Sequence, residues 1–302
     1  MSYNLITILG PTAVGKTNLG VNLAYKFKGE IISADSRQVY KGMDIGTGKD
    51  LTEYRINKTN IKYHLIDVIN PKDEFNLFEF IKYFNTAFSK IRKRSNTPIM
   101  VGGTGLYLNS ILQNYKLNKA DFHDSYIQQL KKMSTEKLAL ILKKLNLKLH
   151  NTTDLLNRER IIKAIAVEKS KLKDDLITSN INSYNIGIFL SMDKIKEKIK
   201  IRLKHRLENG MIEEVKSLLD SGLSYERIKL FGLEYKFIAM YLKDKLNYND
   251  MYQKLNSAIN NFAKKQMTWF RKMEKEGCVI NWIEGSDYTK AQELIKRNYF
   301  NE

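Results

Sequence analysis

Gly10-Pro-Thr-Ala-Val-Gly-Lys-Thr17 decides the fold, because it matches G-x-x-x-x-G-K-[ST] at every fixed position. The short apolar run Leu5–Leu9 precedes it, and Thr17–Phe27 follows with apolar residues three or four apart. That order is strand, loop, helix. Gly10 and Gly15 allow backbone conformations that let successive amides point inward at an anion. The following helix adds the positive end of its dipole. Lys16 supplies a cation for a terminal phosphate, and the Thr17 hydroxyl is placed to ligate Mg²⁺. Pro11, Thr12, Ala13 and Val14 complete the loop. The motif predicts binding of a diphosphate or triphosphate group. It does not name a reaction, since kinases, NTPases and some transferases share it.

Outward from the loop, further β-rich runs occur at Glu30–Ala34, Tyr63–Val68 and Pro98–Val101, and Leu77–Arg92 has helical spacing. Alternating strands and helices predict an α/β fold: a P-loop parallel sheet covered on both faces. From about Asn118 to Ser183 convincing strands disappear, and Leu130, Met133, Leu138, Ile141, Leu142 and Leu145 recur at helical spacing. Residues 119–183 are therefore expected to form an α-helical insertion domain in a core made of 1–118 and 184–302. Ile186–Leu190 and Val279–Trp282 read as returning strands, with helices between them to about Lys275.

A length of 302 residues, 43% hydrophobic and 28% charged, suits a soluble globular chain with a full core. The lone Cys278 excludes an internal disulfide framework and a cysteine-built metal site. His64, His123, His150 and His205 are scattered without ligand spacing, which argues against zinc. No apolar run approaches the roughly 18 residues of a membrane span, and no secretory pattern precedes the loop. A cytoplasmic, membrane-free monomer is the expectation. Lys and Arg exceed Asp and Glu by 51 to 33, a net charge of +18. Such a field attracts polyanions, nucleic acid above all. Biased base composition is the alternative source, since Asn and Ile are also abundant.

Asp35 ends the second strand, within Ser33-Ala-Asp-Ser-Arg-Gln-Val-Tyr40. In open α/β sheets ligands bind beyond the carboxyl ends of strands, so Asp35 faces the P-loop region. There it can hold a metal or take a proton, or it or Ser36 can simply cap a helix. Val101-Gly-Gly-Thr-Gly-Leu-Tyr107 follows another strand and offers the Thr104 hydroxyl beside backbone a ligand can approach closely. As a lone feature this is equally a helix entry. Three such segments at one sheet edge make a cleft.

At these residues the chain resembles the tRNA dimethylallyltransferases. The segments are GPTAVGKT (10–17), ADSRQVY (34–40), MDIGTGK (43–49), YHLIDV (63–68), GGTGLY (102–107), NRERIIKAIAV (157–167) and KKQMTWFR (264–271), in the family's order. The resemblance implies transfer of a dimethylallyl group from dimethylallyl diphosphate to the exocyclic amine of the adenosine just 3′ of the anticodon. Asp35 would be the general base, Thr104 would support the reacting centre, and Gly10 to Thr17 would hold the diphosphate with Mg²⁺. Arg202 would clamp that group from the opposite side. Asp35, Ser36, Arg37, Gln38 and Thr104 would meet the target base and its neighbours. Glu159, Arg160, Ile161, Ile162 and Lys163, with Lys264, Lys265, Gln266, Met267, Thr268, Trp269, Phe270 and Arg271, would contact the anticodon stem-loop.

Residue chemistry agrees in part. Arg202 and Arg206 lie i, i+4 on one face of an amphipathic helix whose other cations read as solvated, so both can reach an anion; the family pattern favours Arg202 and leaves Arg206 open to a surface place. Lys264–Arg271 is open to two readings, a basic helix with Trp269 in the core or a surface for phosphates and bases. Two departures stand out. Gly232-Leu-Glu-Tyr235 replaces the family's G-Y-[KR]-E, and Asp121–Gln129 lacks the usual arginine, leaving Tyr126 or His123 near that place. Rival readings are an adenylate isopentenyltransferase, a P-loop small-molecule kinase, and a nucleic-acid NTPase whose magnesium aspartate would be Asp67 at the end of Tyr63–Asp67.

Overall fold

The computed structural model describes residues 2–115, 125–145, 158–170 and 180–302, the side chains of 125, 160 and 167–170 excepted. The chain divides into two compact units, Met1–Asn114 with Asn180–Glu302, and Tyr115–Ser179.

The first unit is built on β1 (Leu5–Leu9), all five residues buried. An apolar run broken only by Thr7, whose hydroxyl meets Ser183 Oγ at 2.7 Å, suits a central parallel strand covered on both faces. The P-loop leads into α1 (Lys16–Lys26), then β2 (Gly29–Ala34). A small hairpin, β3 (Arg55–Ile56) with β4 (Thr59–Asn60), precedes the short β5 (Tyr63–His64). Next come α2 (Leu77–Lys93), β6 (Thr97–Gly102) and α3 (Gly105–Leu112). In the second unit α4 (Ser125–Leu130), α5 (Thr135–Leu145) and α6 (Arg158–Ser170) pack around Ile127, Leu130, Leu138, Leu142, Ile161 and Ile165.

The first unit resumes with β7 (Ser183–Phe189), α7 (Met192–Glu208), α8 (Met211–Asp220), α9 (Tyr225–Lys229) and α10 (Leu233–Tyr241). The long α11 (Tyr248–Lys275), β8 (Asn281–Glu284) and α12 (Tyr288–Ile295) complete it. Asn76, Ser191 and Asn247 cap α2, α7 and α11 by accepting first-turn amides. Six strands form one wholly parallel sheet in the order β5-β2-β6-β1-β7-β8. Phe80 and Phe84 of α2 are fully buried, and Phe80 stacks on Tyr107 of α3 at 4.0 Å. Each such side chain contributes roughly 1.5–3 kcal/mol by leaving water. No helix among the described residues is long and apolar enough to cross a membrane.

Three strands differ from expectation by more than one residue. β7 starts at Ser183 rather than Ile186 and ends at Phe189, so the first unit resumes before residue 184. The run 63–68 is a strand only at Tyr63–His64, because Leu65 and Asp67 take left-handed backbone, φ 64 and 54. The last strand is Asn281–Glu284 rather than Val279–Trp282, since that register matches Ile186–Phe189 of β7.

Candidate active site

Strand register creates the site. Leu9 pairs with Gly102, and Gly102 with Ala34, so β1, β6 and β2 end level. The next residues, Gly10, Gly103 and Asp35, therefore leave the sheet side by side at its carboxyl edge. Thr104 continues the link: its amide donates to the Ala34 carbonyl (3.3 Å), and its hydroxyl accepts from the Ser36 amide (3.2 Å).

In the loop after β1, Gly15 takes φ 87 and caps α1 with backbone only. No side chain caps that helix and no acid lies in its first turn, which leaves the amides and dipole available to an anion. Pro11 and Val14 are buried, while Thr12, Ala13, Lys16 and Thr17 are half-buried. Lys16 Nζ donates to the Pro11 carbonyl at 2.6 Å. Desolvation and the charge of Arg202 bring its pKa down to about 7, against the opposing pull of Asp35. The donor set suits Mg²⁺ held chiefly by phosphate oxygens and water. Thr17 offers one hydroxyl, and the described residues contain no cluster of three His, Cys, Asp or Glu.

Arg202 reaches the loop from α7, its guanidinium donating to the Thr12 hydroxyl. Burial and the neighbouring Arg206 hold its pKa down to about 10, with Glu234, Asp50 and Asp35 opposing. Arg206 is not a surface residue: it is 7% exposed, lies against Gly48, and stands 3.9 Å from Asp50. The helix face carrying both arginines turns toward the cleft.

Asp35 combines both of its sequence readings. Oδ1 accepts from the Arg37 amide (2.8 Å) and the Gln38 amide (3.4 Å), capping a turn, and Oδ2 has no hydrogen-bond partner among the described residues. Gln38 is itself oriented, accepting from Ser33 Oγ (3.0 Å) and donating to the Gly48 carbonyl (3.1 Å). Ser36 and Arg37 are half-buried beside it.

The 43–49 segment under Gln38 rests on residues whose roles sequence reading missed. Buried Lys49 donates to the Tyr40 carbonyl (2.7 Å), Asp44 (2.7 Å) and Asp67 (2.5 Å). Asp67 is thus an ion-pair partner at the β5 edge of the sheet, with β2 and β6 between that strand and β1. The reading of Asp67 as a magnesium ligand of an NTPase is corrected accordingly. Glu214 of α8 accepts from the amides of Asp44 (2.7 Å), Ile45 (2.7 Å) and Gly46 (3.0 Å), and from the Tyr235 hydroxyl (2.7 Å). Burial, then the Glu214 charge, push the Tyr235 phenol up, so it stays a donor. The departure at Gly232–Tyr235 therefore turns its aromatic inward. Lys49 falls within the 43–49 motif, whereas Glu214 carries no local signal.

On α11, Lys264, Lys265, Thr268 and Arg271 are exposed, and Met267 and Trp269 half-buried. Phe270 is fully buried and Gln266 is 6% exposed. The expected RNA contacts of these two side chains are corrected to packing and, for Gln266, internal hydrogen bonding. In the second unit Ile161 and Ile162 are likewise core residues, at 0% and 7% exposure. Glu159 and Lys163 are exposed there, and Tyr126 is half-buried against that core. The Arg160 side chain, His123 and His150 lie outside the described residues.

Fold and cleft together define an α/β protein in which a carboxylate and a hydroxyl leave the sheet edge beside a glycine-rich loop that opens a helix. Comparison with known proteins resolves the class. The family model described as IPP transferase matches residues 38–273, and the chain belongs to that family. It is 50% identical over 301 residues to tRNA dimethylallyltransferase 1 of Geotalea uraniireducens, covering 99% of each. The solved tRNA isopentenylpyrophosphate transferase of Bacillus halodurans aligns with TM-score 0.69 at 30% identity, covering 99% of this chain and 96% of that one. A eukaryotic dimethylallyltransferase acting on tRNA shares the fold, with TM-score 0.75 at 22% identity, covering 99% of this chain and 77% of that one.

Proposed function

We propose that this protein transfers a dimethylallyl group from dimethylallyl diphosphate to the exocyclic amine of the adenosine 3′ of the anticodon in tRNA. One observation carries the reading: the level ends of β1, β2 and β6 bring Asp35 and Thr104 beside the anion loop. A nucleophile bound at Asp35 faces the carbon of a diphosphate ester bound at Gly10–Thr17. The C–O bond to diphosphate breaks as the C–N bond forms, and the amine proton passes to Asp35 Oδ2. Charge growing on the leaving oxygen meets the loop amides, the Lys16 ammonium and the Arg202 guanidinium. Mg²⁺, held by Thr17 and the diphosphate, would supply further charge neutralisation. The adenine must leave its stack to enter such a cleft. The exposed cations of α11 and the excess of 51 Lys and Arg over 33 Asp and Glu support a polynucleotide acceptor over free adenylate. The same reading places a monomer in the cytoplasm with its tRNA.

The test incubates protein, Mg²⁺ and dimethylallyl diphosphate with an anticodon stem-loop carrying consecutive adenosines, and reads nucleosides by mass spectrometry. Wild type should add one dimethylallyl group. Asp35→Asn keeps the Oδ1 acceptor for the turn and removes the base, so turnover should fall about 10²- to 10⁴-fold with RNA affinity intact. Steady ATP hydrolysis without transfer would sink the proposal.

A further inference from the structure

Gln266 lies on α11, far along the chain from the loops it joins. Its Oε1 accepts from the Thr12 amide of the anion loop at 2.8 Å. Its Nε2 donates to the Gly103 carbonyl of the second glycine loop, also at 2.8 Å. The partners fix which end is which, because a backbone N–H only donates and a carbonyl only accepts. A side-chain carbon at Gly103 would come within 2.5 Å of Gln266 Nε2 and 3.1 Å of the Gly10 carbonyl, so only glycine admits this approach. The same point lies 3.6 Å from Lys16 Nζ.

The bridge connects the two halves of the cleft. Thr12 also receives the Arg202 guanidinium through its hydroxyl. Gly103 is followed by Thr104, whose hydroxyl takes the Ser36 amide next to Asp35. The last β1–β6 register pair is Leu9 with Gly102. Beyond it the strand ladder no longer sets the spacing of the two loops, while displacement at carbon demands that leaving oxygen, carbon and nitrogen fall in line. A buried primary amide is suited to this place, being acceptor and donor in one rigid plane.

We infer that Gln266 is a positioning residue, setting the distance between the loop that holds the diphosphate and the loop that holds the acceptor. This rests on the transferase reading above. It gives a member of the basic α11 segment a task inside the protein rather than on the RNA.

The test compares wild type, Gln266→Met and Gln266→Glu in single-turnover transfer, RNA binding and thermal unfolding. Gln266→Met keeps the length and loses both bonds. Its turnover should fall on the order of 10- to 100-fold, the scale of a misaligned reacting pair, with RNA affinity and its salt dependence unchanged. Gln266→Glu still accepts from Thr12, but its carboxylate opposes the Gly103 carbonyl. Protonated, it matches glutamine in shape and donor pattern, so its activity relative to wild type should climb as pH falls, while the Gln266→Met ratio stays flat. Wild-type turnover in Gln266→Met, or a loss confined to RNA affinity, would overturn the inference alone. Failure of both variants to fold would make the bridge a structural brace and overturn it too. Absence of transfer by wild type would instead overturn the reading of function and this inference with it.

Discussion

At the residue scale, Lys16 is the group whose environment makes a measurable demand. Desolvation, reinforced by the Arg202 charge, lowers its pKa from 10.5 to about 7. A bound diphosphate favours the ammonium form, so binding must raise that pKa and draw a proton from solution above pH 7. The sign follows: affinity should weaken as pH rises through the free-protein pKa, and the uptake should be large at pH 8. A phosphate's own second ionisation, near about 6, is complete there and does not confuse the reading. Calorimetry of dimethylallyl diphosphate binding, an ester without the extra ionisable oxygen of inorganic diphosphate, at pH 8 in two buffers of different ionisation enthalpy should show uptake approaching one proton. Lys16→Arg carries a permanent charge and should show none. Equal heats in both buffers for wild type would mean that the lysine enters the complex already charged.

At the scale of elements, the 43–49 segment is held by α8 and α10 through one carboxylate. Glu214 takes three consecutive amides and the Tyr235 hydroxyl. Removing it orphans these donors at about 1–3 kcal/mol, and charge-assisted bonds lie at the upper end. Glu214→Ala should therefore cost about 3 kcal/mol in urea unfolding and Tyr235→Phe about 1 kcal/mol. The double variant should lose less than their sum, by about 1 kcal/mol, because both remove the same bond. Strict additivity would show that the two do not act on each other. This brace also marks the limit of what one sequence discloses. The places of the glycine loop after β1, of Asp35 and of Thr104 at one sheet edge are legible because each belongs to a short motif at a strand end, where local chemistry and strand order suffice. Gln266 reads as an RNA contact and Glu214 gives no signal at all, since their partners stand 254 and about 170 residues away. Arg206 reads equally as an anion ligand or a surface cation, because helical periodicity tells which residues share a face but not which face turns inward. The strand at Tyr63 reads too long for a related reason: no glycine marks the left-handed turns at Leu65 and Asp67.

At the scale of the whole molecule, a net charge of +18 would attract any nucleic acid, so charge alone cannot distinguish a binding face from a general field. Geometry can. α11 turns Gln266 and Phe270 inward while Lys264, Lys265 and Arg271 stand exposed, so the helix that spaces the two loops also presents cations from the same segment. An equal number of cations, Lys90, Arg92 and Lys93, fills the last turn of α2, which runs back to the amino edge of the sheet before β6. That end lies opposite the loops, because a helix between parallel strands must return the chain to the edge where the next strand begins. Neutralising either triple with glutamine removes the same charge from the field but not from the same place. If α11 grips the phosphates, its triple variant should flatten the plot of log affinity for tRNA against log salt by about 0.7–0.9 for each phosphate it no longer neutralises. The α2 triple should leave that slope near wild type and shift affinity only slightly. Equal effects from the two triples would mean that the field of the whole molecule, not this helix, does the binding, and that α11 serves the cleft from within alone.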